Sequence, residues 1–174
     1  MDFKLIKLND EESDLGSSHI LGCPDVPSIW NDNAVFYNDE IFIGQINLAE
    51  FDIIDLPNKG ILSFYLAIAS SPYRGIVRYS DNKELERIDF NNEIDFKYDL
   101  NEEYLIIPGE GELQILPKNH KFKKYHLKKD ERILMVLNLP FMSDAEYDIV
   151  YLIKDEDLKS LSFDKAYLAI NLDN

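Results

Sequence analysis

A histidine, a cysteine and an aspartate stand within seven residues in "HILGCPD" (His19, Cys23, Asp25). A Cys–His pair becomes a nucleophile when thiol and imidazole reach hydrogen-bonding distance and a third group orients the ring. Spacing within a turn supplies neither condition, and no nucleophile signature surrounds Cys23. The expectation is an inert, partly buried thiol. Metal chemistry has no firmer footing: the chain has three histidines, one cysteine, no HExxH and no EF-hand loop. His120 and His126 flank lysines, a poor setting for a cation. "PGEGE" lacks the Lys and Ser/Thr of a phosphate-binding loop, and its glutamates repel phosphate. The sequence therefore predicts no catalytic residue, no cofactor and no metal, and a role closer to binding than to turnover.

Gln45 and Asn47 in "FIGQINLAEF" raise a different question. Two residues apart on a strand, they share one face, while Gly44, Ile46 and Leu48 share the other. Covered amides need partners, because an unpaired one costs about 1–3 kcal/mol. One reading is a ligand-binding patch; the reading preferred here is a structural tie, with Gln45 fixing the loop around "GCPDVP". Asn138 in "ILMVLNLPF" repeats the place of Asn47, whereas Asn171 in "AYLAINLDN" falls in another register. The one basic block, "KNHKFKKYHLKK", holds six lysines between Lys118 and Lys129 with Phe122 and Tyr125 interleaved. Such a block can stack and neutralise a nucleic-acid strand. Within a chain of net charge -15 it reads instead as a solvated, lysine-blunted strand edge.

The elements that must position these residues are mostly strands. "EIFIGQINL", "GILSFYLAI", "GIVRYS", "EYLIIPG", "GELQIL", "RILMVLNL", "YDIVYLI" and "AYLAINL" are short, aliphatic or aromatic, and bounded by turn residues. "YLIIPGEGELQIL" reads as a hairpin. Helical signals are few: Asp81 with Glu84 in "DNKELERI" resembles an N-cap, "KDEDLKSL" has acids in a first turn, and a short helix is expected near "LNDEESDL". The fold class is mainly β, bordering on α+β. The chain is one domain over residues 1–174, with half-repeats at about 19–80 and 104–174 that match Asn47 to Asn138.

Length and 45% hydrophobic content suffice for a real core. No apolar run approaches the roughly 20 residues of a membrane span, and no export signal is visible. With a lone cysteine, the expectation is a cytoplasmic protein without membrane association. The acidity disfavours nucleic acid as a partner and suits a basic protein surface.

The motifs "HILGCPDVP" (Gly22, Pro24, Pro27), "FIGQINLAEF" (Gly44, Gln45, Asn47) and "LPNKGILSFYL" (Pro57, Gly60, Phe64) resemble the YwqG-like family, a bacterial group with no assigned activity. "YLIKDEDLKSLSFDKAYLAINLD" resembles that family's closing segment. The likeness runs from about His19 to Asp173, although this chain has Leu21-Gly22-Cys23-Pro24 where two glycines usually precede the first proline. It implies a duplicated β-rich domain and, since relatives can lie near toxin loci, an immunity-type inhibitor of a bacterial toxin. The expected contact surface is the acidic stretch from Glu93 to Glu112, with Glu102, Glu103, Glu110 and Glu112 as candidates. The alternative is a small-molecule binder or enzyme using a cleft between the two halves.

Overall fold

The computed structural model describes residues 1–9, 11–32, 35–69, 71–90, 100–118, 125, 127–138 and 148–169. His120, His126, Asn171 and Glu93 lie outside the described residues, as does much of the lysine block. The strands in chain order are β1 (Asp2–Lys7), β2 (His19–Leu21), β3 (Asp25–Pro27), β4 (Glu40–Asn47), β5 (Ile61–Ala67), β6 (Arg74–Ser80), β7 (Leu85–Arg87), β8 (Glu103–Pro108), β9 (Leu113–Ile115), β10 (Glu131–Leu137), β11 (Ile149–Lys154) and β12 (Tyr167–Leu168). Two short helices, α1 (Ser28–Asp32) and α2 (Asp155–Lys159), complete a mainly β protein. No helix among the described residues is long and apolar enough to cross a membrane.

Ten strands form one antiparallel sheet in the order β12-β11-β10-β9-β1-β8-β2-β4-β5-β6, and β3 pairs with β7 in a separate ribbon. The sheet curls until its ends meet. A Cβ built on Gly75 of β6 would stand 2.8 Å from the Tyr151 ring and 3.0 Å from the Leu168 amide nitrogen, so the approach requires glycine. Inside lies one continuous core drawn from both halves, including Phe3, Ile46, Phe64, Leu113, Met135 and Tyr151. Tyr151 Oη donates to the Tyr65 carbonyl at 2.7 Å and ties the closing edges together.

Several local features recur in residues 19–80 and 104–169. Both the β4–β5 and β10–β11 ladders contain a bulge, between Phe42 and Gly44 and between Ile133 and Met135. Gly44 pairs with Phe64 and Ile20, and Met135 pairs with Tyr151 and Ile115. Leu21 and Leu116, which follow those partners, both have positive φ (59° and 43°). A carboxylate closes the turn entering each long strand: Glu40 accepts from the Tyr37 amide at 3.2 Å and Glu131 from the Lys128 amide at 2.8 Å. Asn47 ends β4 and Asn138 directly follows β10, each seven positions after Glu40 or Glu131, although Asn138 donates to the Asp148 carboxylate rather than to a loop carbonyl.

The halves are also interleaved. β1 has β8 and β9 as its ladder neighbours, and β8 lies between β1 and β2. The expected hairpin over 104–116 is therefore not formed: β8 and β9 sit on opposite sides of β1, and residues 109–112 cross over it. A Cβ on Gly111 would meet the Phe3 carbonyl at 2.6 Å. Local turn chemistry permitted a hairpin, but the long-range strand insertion prevails.

The helix expected at "DNKELERI" is likewise replaced. Asn82 Oδ1 accepts the Glu84 amide in an Asx turn, and Leu85–Arg87 pairs with β3. No helix forms among the described residues of "LNDEESDL" either, where the Ser13 amide is drawn to Glu103 instead. "KDEDLKSL" does form α2, with Asp155, Glu156 and Asp157 in its first turn.

Burial works to raise the Glu131 carboxyl, but bonds from the Tyr167 hydroxyl and from Lys128 outweigh it and hold it below the usual range. A depressed carboxyl stabilises the fold above the unfolded-state value, and that contribution disappears as pH falls through the folded value. The urea midpoint is expected to be flat above about pH 5 and to fall below about pH 4. Glu131→Gln should flatten that fall; an unaltered profile would count against it.

Candidate functional site

The equivalent outer faces of the two halves differ in chemistry. In the second half Ile133, Val136, Val150 and Leu152 form an apolar cluster under Tyr125 and Leu127. In the first half the register lines up His19, Gln45, Ser63 and Arg78 across β2, β4, β5 and β6. His19, Gln45 and Ser63 are buried, so this polar row must be satisfied from within. For Gln45 the β3–β7 ribbon supplies a partner, and for His19 the flanking loops do.

Asp25 on β3 is the hub. Its Oδ1 accepts from Arg87 Nε at 2.8 Å, and its Oδ2 from Arg87 Nη2 at 3.0 Å, from the Gly16 amide at 2.7 Å and from Gln45 Nε2 at 3.0 Å. Gln45 Oε1 accepts the Asp25 amide at 2.9 Å, while its Nε2 also donates to the Ser17 carbonyl at 2.8 Å. The expectation that Gln45 fixes this loop describes the observed bonds. Asn47 extends the tie, donating from Nδ2 to the Gly16 carbonyl at 2.8 Å. Gln45→Leu is expected to cost about 2 kcal/mol, because it orphans the buried Asp25 amide and removes a donor from the Asp25 carboxylate. Urea unfolding measures the loss, and unchanged stability would remove Gln45 from the tie.

The His19, Cys23, Asp25 grouping does not become a nucleophile. His19 Nε2 lies 3.0 Å from the Cys23 carbonyl oxygen, not its thiol, and Nδ1 is 3.1 Å from the Ser17 carbonyl and 3.3 Å from Ser13 Oγ. Asp25 is committed to Arg87, and burial pushes the half-buried Cys23 thiol upward, away from the reactive thiolate.

A second buried pair lies across the face. Arg78 meets Glu40 through two bonds of 2.6 and 2.9 Å, its guanidinium 4.7 Å from the Phe36 ring centre and 4.8 Å from that of Tyr65. This geometry, a bidentate carboxylate with two aromatic faces, suits arginine and not lysine.

Beside the hub opens a cleft of about 970 Å³ whose lining includes Lys7 at the end of β1, Glu11 and Glu12 after it, Cys23, Arg87, Asp89 and Glu102–Glu103. Five lining carboxylates (Glu11, Glu12, Asp89, Glu102, Glu103) face two cations (Lys7, Arg87). Arg87 is occupied by Asp25 and by the Ser13 carbonyl at 2.8 Å, and the Asp25 bond raises its pKa further. The bond from Lys7, then that from Tyr104, holds the Glu102 carboxyl below its usual range. Glu11 and Glu12 stand exposed at the rim.

The four candidate contact glutamates do not share one surface. Glu102 and Glu103 belong to the cleft; Glu103 is buried, accepts the Ser13 amide at 3.1 Å, and occupies space that a side chain on Gly22 (φ 73°) would invade. Glu110 is exposed in the crossing over β1, and Glu112 accepts the Leu5 amide at 3.0 Å. The role of Arg87 had no sequence signal of its own. It is one of several charges in "DNKELERIDF", and only the pairing of β7 with β3 places it opposite Asp25. Compared with known protein families and with curated proteins, the chain matches none.

Proposed function

We propose that this protein acts by binding a partner with a basic surface, in the cytoplasm and without catalysis, as an immunity-type inhibitor binds a toxin. The observation that carries this reading is the cleft, where carboxylates outnumber cations and the buried polar groups behind it are bonded to one another. His19 and Asp25 are spent on bonds within the protein rather than turned to the cleft. A rim of glutamates attracts cationic side chains over several ångströms and speeds their encounter. The net charge of -15 and the resemblance to the YwqG-like group support the same reading.

The test uses the product of the neighbouring reading frame, titrated calorimetrically at low and high salt. Affinity is expected to drop at least tenfold between about 50 and 300 mM salt, and a double Glu11→Lys, Glu12→Lys variant to lose at least as much. No binding, or binding indifferent to salt and to both charge reversals, would remove the electrostatic reading. The volume of the cleft, within the range of small-ligand pockets, favours a metabolite as second occupant. A thermal shift with a neutral or anionic metabolite, abolished by Gly22→Val, would favour that alternative.

A further inference from the structure

We propose that the groove at the closing seam of the sheet binds a free α-amino acid with an apolar side chain. Arg74 carries the argument. Of the arginines in the chain, Arg78 meets Glu40 at 2.6 Å, Arg87 meets Asp25 at 2.8 Å and Arg132 meets Asp55 at 2.8 Å. Arg74, the remaining one, pairs with no carboxylate among the described residues, in a protein of net charge -15. It shares one face of β6 with Arg78 and repeats its aromatic contact, the guanidinium lying 5.8 Å from the Tyr37 ring centre. Arg78 thus has a ring and a carboxylate, whereas Arg74 has the ring alone. A planar guanidinium steadied in this way takes a carboxylate through two parallel bonds.

The groove matches the rest of the ligand. It holds about 630 Å³, within the range of small-ligand pockets, and shares no lining residue with the cleft. Ala67 pairs with Arg74 at the end of the β5–β6 ladder, and Gly75 and Leu168 approach each other where the sheet closes. These three make the lining beside the guanidinium small and apolar. Asp39 lines the same groove. Its Oδ2 accepts the Ala69 amide at 3.3 Å and its carbonyl accepts the Ile68 amide at 3.0 Å, which fix it beside the β5–β6 connection. Asp39 and Arg74 form no ion pair with each other, so the groove carries one charge of each sign, held apart. The ammonium and carboxylate of an amino acid complement that pair, and an aliphatic or aromatic side chain complements the apolar lining. The field of so acidic a protein repels a free anion but not a zwitterion.

The experiment titrates the isotope-labelled full chain with L-leucine or L-phenylalanine and follows the backbone amides by NMR. Saturable shifts are expected at Ala67, Gly75 and Leu168. Leucine methyl ester, which lacks the carboxylate, and N-acetyl-leucine, which lacks the ammonium, should each bind about tenfold more weakly. Arg74→Gln and Asp39→Asn should lose as much for leucine. Arg74 is exposed, so Arg74→Gln should keep the parent unfolding midpoint. Arg74→Lys, which keeps the charge without the planar fork, repeats the test where glutamine does not fold. No saturable shift with either amino acid, equal binding of the ester, N-acetyl-leucine or acetate, or undiminished binding by Arg74→Gln overturns the inference. Shifts centred on Gly22 and Cys23 place the amino acid in the cleft and overturn it as well.

Discussion

Asp25→Ala is expected to destabilise the protein by about 3–5 kcal/mol, the range found when one member of a buried ion pair is removed. The carboxylate accepts two bonds from Arg87, one from the Gly16 amide and one from Gln45. Alanine leaves a guanidinium that is 18% exposed with no counter-charge on its inner side. The carboxylate also joins β3, β4, β7 and the loop before β2, so its loss loosens the ribbon and exposes the polar row beneath. Urea unfolding gives the magnitude. The double variant Asp25→Ala, Arg87→Met should cost clearly less than the two single losses added, because no unpaired charge remains. A single-variant cost below about 1 kcal/mol would show that Asp25 does not organise this face.

The second large effect lies at the seam. Tyr151→Ala should cost about 3–5 kcal/mol and Tyr151→Phe about 1 kcal/mol. The ring is fully buried, packs edge-on against Phe64 at 5.2 Å, and closes over Gly75. Truncation opens a void where β5, β6 and β11 meet, and the strands cannot collapse into it while β12 holds its place against β6. The phenylalanine variant keeps that volume and loses only the bond to the Tyr65 carbonyl. Calorimetry separates the two, and equal losses would assign the stabilisation to the hydroxyl alone. Because the core is shared, both halves should unfold in one transition in either variant.

The long strands were legible in the sequence because β4, β5, β10 and β11 are buried along nearly their whole length and so read as aliphatic runs. β2 and β3 were not, since three residues such as "HIL" or "DVP" carry no period and exist through their partners. β1 alternates greasy and charged residues, but its place between β8 and β9 depends on contacts about a hundred residues away. Asp81 and Glu84 satisfy the helix-start pattern, yet an asparagine between them bonds the backbone first. At the candidate site the shared face of Gln45 and Asn47 was readable from strand geometry. The partners were not: Arg87 reaches Asp25 across 62 positions of sequence, a distance no local pattern spans.

The interleaving of β9, β1, β8 and β2 has a consequence for biosynthesis. β1 emerges from the ribosome first, yet residues 103–115 that flank it are translated roughly 5–20 s later at ordinary elongation rates. Until then Phe3 and Leu5 have no sheet to join, and the polar row of the first half lacks the β8 edge beside β2. A nascent chain stalled before residue 115 should be cut by protease throughout, and the released full chain, with β10 and β11 added to the shared core, should become resistant in both halves at once. Completion of this protein is a late, concerted event on the translation clock.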